Sequence, residues 1–209
     1  MIIVNFSTRQ YLLGQARLSS SLNGYKKLML SDYVSLGSPT HQESPYQFKI
    51  HAIETAFNHD PIVLWCDSSL WRVGDLSIIE NLIIKDGYFM SEAGHWVGSW
   101  CNAHTANYFK LKVDECKVPG GFNMFSAGLL GLNRESPLAM DFFTQWKASA
   151  LAGCFRGDWT NHRHDMTCGS IIASRLGMKY QRGGEHMSYI GQGYTDPEPG
   201  SVFYLQGLH

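Results

Sequence analysis

The sequence predicts an α/β fold: a mostly parallel central sheet flanked by helices, in a single domain spanning residues 1–209. Three observations predict it. IVLWC at 62–66 is an unbroken apolar run, as expected of a strand buried on both faces. It comes third in the order strand–helix–strand–helix–strand, the pattern of a parallel, doubly wound sheet. Finally, the chain is 44% hydrophobic and 13% aromatic but only 17% charged, against roughly 25% charged in an average soluble domain. So much apolar surface demands a packed core and excludes disorder.

The elements follow in order. IIVNF (2–6) is a short β-branched run and the first strand. Ser7 and Thr8 offer N-caps for a helix carrying Tyr11, Leu12, Gln15, Leu18 and Leu22, ending at Asn23-Gly24. KLMLS (27–31) is the second strand and 35–45 a loop. Pro45 can start a helix whose stripe is Phe48, Ile50, Ile53 and Phe57, before a turn at 58–61 and the 62–66 strand. DLSIIENLIIKDG (75–87) is a helix closed by Gly87, with a short strand at 88–91. Residues 94–107 lack periodicity and read as a loop. A strand at 122–133, a capped helix at 136–153, a polar loop at 154–165, a helix at 165–176 and a strand near 178–181 complete the pattern. The tail from Gly183 is rich in Gly and Pro and is expected to lie over the domain; Gly120-Gly121 and Gly183-Gly184 read as turns.

Charge narrows the function. Seventeen basic against 18 acidic residues give a net charge of −1, which excludes a polyanion binder held by bulk charge but leaves a local basic patch open. The N-terminal segment has no basic run before its short apolar stretch, so no signal peptide is expected, and nothing approaches the roughly 18–20 apolar residues of a membrane span. Five cysteines, none in a CxxC pair, read as reduced, mostly buried thiols of a cytoplasmic protein. There is no GxGxxG, P-loop or GxSxG element.

Three clusters carry possible chemistry. In LWCDSSLW (64–71), Asp67 directly follows a buried strand and so emerges at the carboxyl edge of the sheet, where open α/β folds bind ligands. Asp67 could equally cap a turn. In RGDWTNHRHDM (156–166), His162, Arg163, His164 and Asp165 crowd the start of a helix, which favours an anion. Asp165 could simply be an N-cap, and the His-x-His-Asp grouping could also hold zinc in a hydrolase. The third cluster is aromatic: Trp71, His95, Trp96, Trp100, Tyr108 and Trp159. Such rings bind sugars or bases, or fill cores.

Taken in order, the first strand with its Ser/Thr and basic helix, PYQFKIHAIETAF, LWCDSS, FNMFSAGLLGLN and NHRHDMTCGSIIASRLGM resemble nucleotide-sugar glycosyltransferases of the GT-A fold. The resemblance implies transfer of a sugar from a nucleotide diphosphate donor, a UDP-sugar first, to an acceptor hydroxyl. By it, Asn5, Ser7, Thr8 and Arg17 bind the nucleotide, and Asp67 and Ser69 meet the diphosphate or its metal. Ala127-Gly128 is the small-residue step facing the donor sugar, and 1–91 and 92–209 are the nucleotide and acceptor halves. The family's Asp-x-Asp is here Asp67-Ser68-Ser69, with one carboxylate lost from a site for Mn²⁺ or Mg²⁺. A metal would use Asp67 with a late His, His186 first and His209 second; without one, Arg9, Arg17 and Lys49 would neutralise the leaving diphosphate. Asp165, then Asp158, is the candidate base in an inverting reaction; in a retaining one the same Asp would position the donor sugar and no base is needed.

The acceptor wall would be His95, Trp96, Trp100, Trp159, His162, Arg163 and His164. Two acceptors fit: a glycan, or a hydroxymethylated base in DNA. The small size matches virus-encoded members of the family, which act in the host cytoplasm, and five basic residues against two Asp between 156 and 182 could meet phosphates. A non-catalytic sugar- or nucleotide-binding module on the same fold is the alternative.

Overall fold

In the computed structural model, residues 1–112, 121–190 and 200–206 are described. The central sheet has the order β2-β1-β3-β6-β5, built from β1 (Ile2–Phe6), β2 (Lys27–Leu30), β3 (Ile62–Cys66), β5 (Tyr88–Trp96) and β6 (Asn123–Asn133). β1 pairs parallel with β2 and β3, whereas β6 runs antiparallel between β3 and β5. Four strands therefore point one way and β6 the other. The sheet is mostly parallel in direction, yet its pairing is mixed.

Strand alternation divides the core. Val4, Val63 and Trp65 face one cluster, packed by helices α3 (Phe48–Ala56), α6 (Pro137–Leu151) and α7 (His164–Arg175). Ile3, Leu64 and Cys66 face the other, packed by α1 (Leu12–Ser21), α4 (Ser77–Asp86) and a small second sheet. Local chemistry sets the helix ends. Ser136 accepts from the Ala139 N–H with Pro137 behind it, and Gly87 closes α4 at φ 84°.

Several expectations need correction. Ser7 and Thr8 cap nothing through their side chains; Arg9–Tyr11 is a 3₁₀ turn leading into α1. Tyr11 and Leu12 are exposed, whereas Leu18 and Leu22 are buried as expected, joined by Gly14. Pro45 lies outside α3, which starts at Phe48, and the 35–45 loop is preceded by a short helix α2 (Tyr33–Leu36) capped by Asp32. Residues 94–107 are not one loop: β5 runs to Trp96, and α5 (Ala103–Tyr108) begins where the Asn102 side chain accepts from the Thr105 N–H. The strand near 178–181 reduces to a single bridge between Ser91 and Gln181. β4 (Leu70–Arg72), β7 (Met187–Tyr189) and β8 (Phe203–Leu205) form the second sheet, in the order β4-β8-β7, so part of the tail pairs with a segment just after β3. The cysteines at 66, 154 and 168 are free, and Cys116 lies outside the described residues. No helix among the described residues is long and apolar enough to cross a membrane.

α1 lies against the turn that follows β3. A Cβ on Gly14 would stand 2.3 Å from the Ser68 carbonyl oxygen. Gly14→Ala tests this approach, because helix propensity alone would stabilise α1 by about 1 kcal/mol. The clash should instead destabilise the chain by about 1–3 kcal/mol in chemical denaturation. A stabilised variant would show that α1 can move away from the turn freely.

Candidate active site

The site forms where β1 and β3 end. Alternation along β3 puts Asp67 on the same face as Trp65, whose indole N–H donates to Asp67 Oδ1 at 2.8 Å. On that face α3 presents Lys49, a lysine only 2% exposed. Its Nζ donates to the Ala127 carbonyl at 2.9 Å, and stands 3.2 Å from Asp67 Oδ1 and 2.9 Å from Asp165 Oδ2. One ammonium thus joins α3, the end of β3, the middle of β6 and the first turn of α7.

Two carboxylates and one ammonium leave the cluster one negative charge in excess. Burial alone would lower the Lys49 pKa; Asp165 and then Asp67 reverse this, so the ammonium is held above the ordinary lysine range. Burial pushes the Asp165 carboxyl up, against the pull of Lys49. At 2.9 Å the Lys49–Asp165 contact is a buried ion pair.

Above the cluster opens a cavity of about 710 Å³, lined by Phe6 to Tyr11, Tyr33, Thr40 to Gln42, Tyr46, Phe48 and Asp67 to Ser69. Tyr46 lies beside the Lys49 ammonium, which is 5.0 Å from the ring centroid. Burial first, and the Asp165 charge second, raise the Tyr46 phenol, which stays a neutral donor. Burial lowers His41, so its imidazole, edge-on to Tyr46 at 4.8 Å, is neutral near pH 7. Ser7 Oγ is buried on the wall with no hydrogen-bond partner, a polar atom left for a ligand. Three non-glycine residues with positive φ surround the site: Arg9 (51°), Tyr46 (59°) and His164 (46°). Such backbone costs of order 1–3 kcal/mol each and clusters where ligands bind.

The structure brings together Ser7, Thr8, Arg9, Asp67 and Ser69 on the cavity wall, with Ala127 and Asp165 beneath them at Lys49. A Cβ on Gly128 would lie 3.1 Å from Asp67 Oδ2, so a larger residue there would press on that carboxylate. Other candidates take supporting places. Asn5 is fully buried, donating to the Cys66 carbonyl at 2.6 Å and accepting from Gln15 at 2.8 Å. Arg17 donates to the Ser69 carbonyl at 3.1 Å, behind the diphosphate position proposed for it. Lys49 is engaged by two carboxylates and a carbonyl and is not on the wall.

Asp165 is also off the wall, which argues for a positioning role rather than a base, and Asp158 is an exposed turn residue bonded to Thr160. The ring nitrogens of His162 face the Cys154 and Trp100 carbonyls at 2.8 and 3.3 Å. His164 Nδ1 meets the Phe155 carbonyl at 2.8 Å. Both histidines are structural posts rather than acceptor contacts. His95 packs edge-on to Trp100 at 6.0 Å, and Trp96 pairs with Asn123 at the end of β5. Tyr46, His41 and Thr40 were not singled out from sequence; the only hint was the polar run around them.

A resident divalent cation does not fit the described residues. Asp67 is the single carboxylate at the cavity, and its Oδ1 already meets Lys49 and Trp65. His186 packs on Phe89, which belongs to the core cluster on the other face of the sheet, and His209 lies outside the described residues. No group of three His, Cys, Asp or Glu suited to a metal occurs among the described residues, which also leaves the zinc-hydrolase arrangement without its ligands.

No protein-family model matches the sequence, and no curated protein matches it significantly. Solved structures do match along nearly the whole chain. A glycosyltransferase involved in glycosylating the major capsid protein of PBCV-1 aligns over 98% of this chain and 93% of its own, at 11% identity and TM-score 0.60. The fold is that of the GT-A glycosyltransferases. Mouse xyloside xylosyltransferase 1 aligns over 98% and 97%, at 11% identity and TM-score 0.51. The galactosyltransferase LgtC, solved with donor and acceptor sugar analogues, aligns over 99% and 87%, at 10% identity and TM-score 0.50. In this GT-A frame the Lys49 cluster sits at the carboxyl edge of β3, beneath the cavity.

Removing Lys49 tests the cluster. Lys49→Met leaves Asp165 buried without its counter-ion, which should cost about 3–5 kcal/mol at neutral pH. Without Lys49, burial acts unopposed and raises the folded-state pKa of Asp165 further. The variant's stability should therefore fall as pH rises from the acid side through that value, because the unfolded state then releases its proton more readily. Adding Asp165→Asn should recover part of the loss, read by denaturation at acidic and neutral pH. An undiminished Lys49→Met stability would contradict the cluster.

Proposed function

We propose that this chain transfers a glycosyl group from a nucleotide diphosphate donor, a UDP-sugar first, to a saccharide hydroxyl. The observation that carries the proposal is the two-carboxylate, one-ammonium cluster beneath a cavity that opens at the carboxyl edge of a GT-A sheet. The wall offers aromatic faces (Phe6, Tyr33) for a base, Arg9 with the Ser68 and Ser69 hydroxyls for a diphosphate, and the Asp67–Gly128 step for the sugar. This gives residues 1–91 the nucleotide side, while Ala127, Gly128 and Asp165 come from 92–209, as the two-half reading proposes.

The chain's own residues act mainly by placement. Lys49, held from beneath by Asp165, fixes Asp67 where it faces the sugar. Asp67 is the carboxylate that meets a sugar hydroxyl, and Arg9 offsets charge as the diphosphate leaves. Holding donor and acceptor in line and stabilising the leaving charge are the principal sources of rate.

We take a saccharide rather than a modified DNA base as the acceptor: among the basic residues near 156–182, Arg175 bonds the Phe109 carbonyl, and Arg163 offers a single guanidinium between two indoles rather than a run of phosphate contacts. Release of nucleotide from a panel of UDP- and GDP-sugars, with and without Mn²⁺, tests the activity. At least one UDP-sugar should turn over, and Asp67→Asn should lower kcat by about 10²–10³-fold. Nucleotide binding without turnover of any donor would favour the binding-module reading. Activity on DNA that falls steeply with salt would replace the saccharide acceptor.

A further inference from the structure

Arg163 is a cation without a counter-ion among the described residues. Its guanidinium carbon lies 3.8 Å from the centroid of the Trp100 ring and 4.0 Å from that of Trp159. Its Nη1 is buried and has no hydrogen-bond partner. No carboxylate among the described residues pairs with it. Two other arginines meet carbonyls: Arg72 donates to those of Ser21 and Gly74, and Arg134 to that of Phe57. Stacking on two indoles is worth up to about 2 kcal/mol in a desolvated setting but satisfies no N–H. An unmet buried N–H costs about 1–3 kcal/mol. Burial also lowers the Arg163 pKa, the mark of a cation held partly away from water.

The clamp lies next to the proposed site. Arg163 is two residues before Asp165. Trp159 stacks on His164 at 5.6 Å and lies 6.1 Å from Tyr46, which lines the cavity. Trp159 is 49% exposed, an aromatic face of the kind on which a sugar ring can rest. A planar guanidinium fixed between rings matches the geometry of a carboxylate or phosphate and pays little conformational entropy on binding one.

We propose that Arg163, clamped between Trp100 and Trp159, binds an oxyanion carried by the acceptor saccharide, with the sugar ring against Trp159. The proposal rests on the glycosyl-transfer reading for its word "acceptor", but the binding itself does not need the donor. The test is tryptophan fluorescence and NMR titration of the intact chain with three probes: a uronic-acid oligosaccharide, a phosphorylated sugar and a neutral oligosaccharide of equal length. At least one acidic probe should bind about tenfold more tightly than the neutral one, equivalent to about 1.4 kcal/mol. The two acidic probes distinguish carboxylate from phosphate. Arg163→Gln should abolish the preference, and Arg163→Lys should retain only part of it, because the planar fork is lost.

Equal binding of acidic and neutral probes to the unmodified chain would overturn the proposal, as would saturable binding of neither. A preference that survives in Arg163→Gln, or a short single-stranded DNA that displaces every saccharide, would do so as well. The unmodified chain decides the matter even where a variant fails to fold. Nucleotide release, measured separately, keeps the two readings apart. An acidic preference without turnover would sink the transferase reading alone, whereas turnover favouring neutral acceptors would sink the oxyanion site alone.

Discussion

The ammonium of Lys49 is shared by two carboxylates and a backbone carbonyl, and the active-site side of the sheet is organised around that contact. Each group comes from a different part of the chain, and each would be unfavourable without the others. Asp165 and Lys49 are both about 2% exposed, so neither charge can be left to water. Breaking one partner of such a cluster costs far more than the intact cluster contributes to stability. The arrangement therefore reads as a device for placing two carboxylates rather than for holding the fold together. It fixes Asp67 against Gly128, where the sheet's carboxyl edge meets the cavity.

The backbone around the cluster is held in costly conformations. Arg9 follows β1, Tyr46 precedes α3 and His164 begins α7, all at positive φ. Each is fixed by its surroundings: Tyr46 and His164 lie 5.5 Å apart ring to ring, and His164 is bonded to the Phe155 carbonyl. These segments position the cavity wall, the Lys49 helix and the Asp165 turn. All three lie near the unpartnered Ser7 hydroxyl and the buried Arg163 Nη1, which meets no hydrogen-bond partner among the described residues.

Much of the frame was legible in the sequence. The apolar run of β3 and the capped helices α4 and α6 stand out because burial and end chemistry leave periodic or punctuated patterns. The second sheet left none: three-residue strands have no periodicity, and β4 is separated from β8 by most of the chain. α5 was hidden by its length, although Asn102 followed three residues later by Thr105 was a capping signal. In the site, Asp67 and Ser69 were legible because a strand end fixes where they emerge. The place of Lys49 was not, since a lysine in a helix ordinarily points to water and only its two distant partners make burial tolerable. The same reasoning explains His162 and His164, whose sequence crowding suggested ligands but whose ring nitrogens face backbone carbonyls.

The most direct measurement is a crystal structure of the chain with an intact, non-transferable nucleotide-sugar. The account predicts the nucleotide in the cavity between the Thr8–Tyr11 segment and His41, the diphosphate near Arg9 and Ser69, and the sugar against the Asp67–Gly128 step. Lys49 would keep both carboxylates, with Asp67 accepting a sugar hydroxyl. A donor bound elsewhere, or one that draws Lys49 away from Asp165, would contradict it.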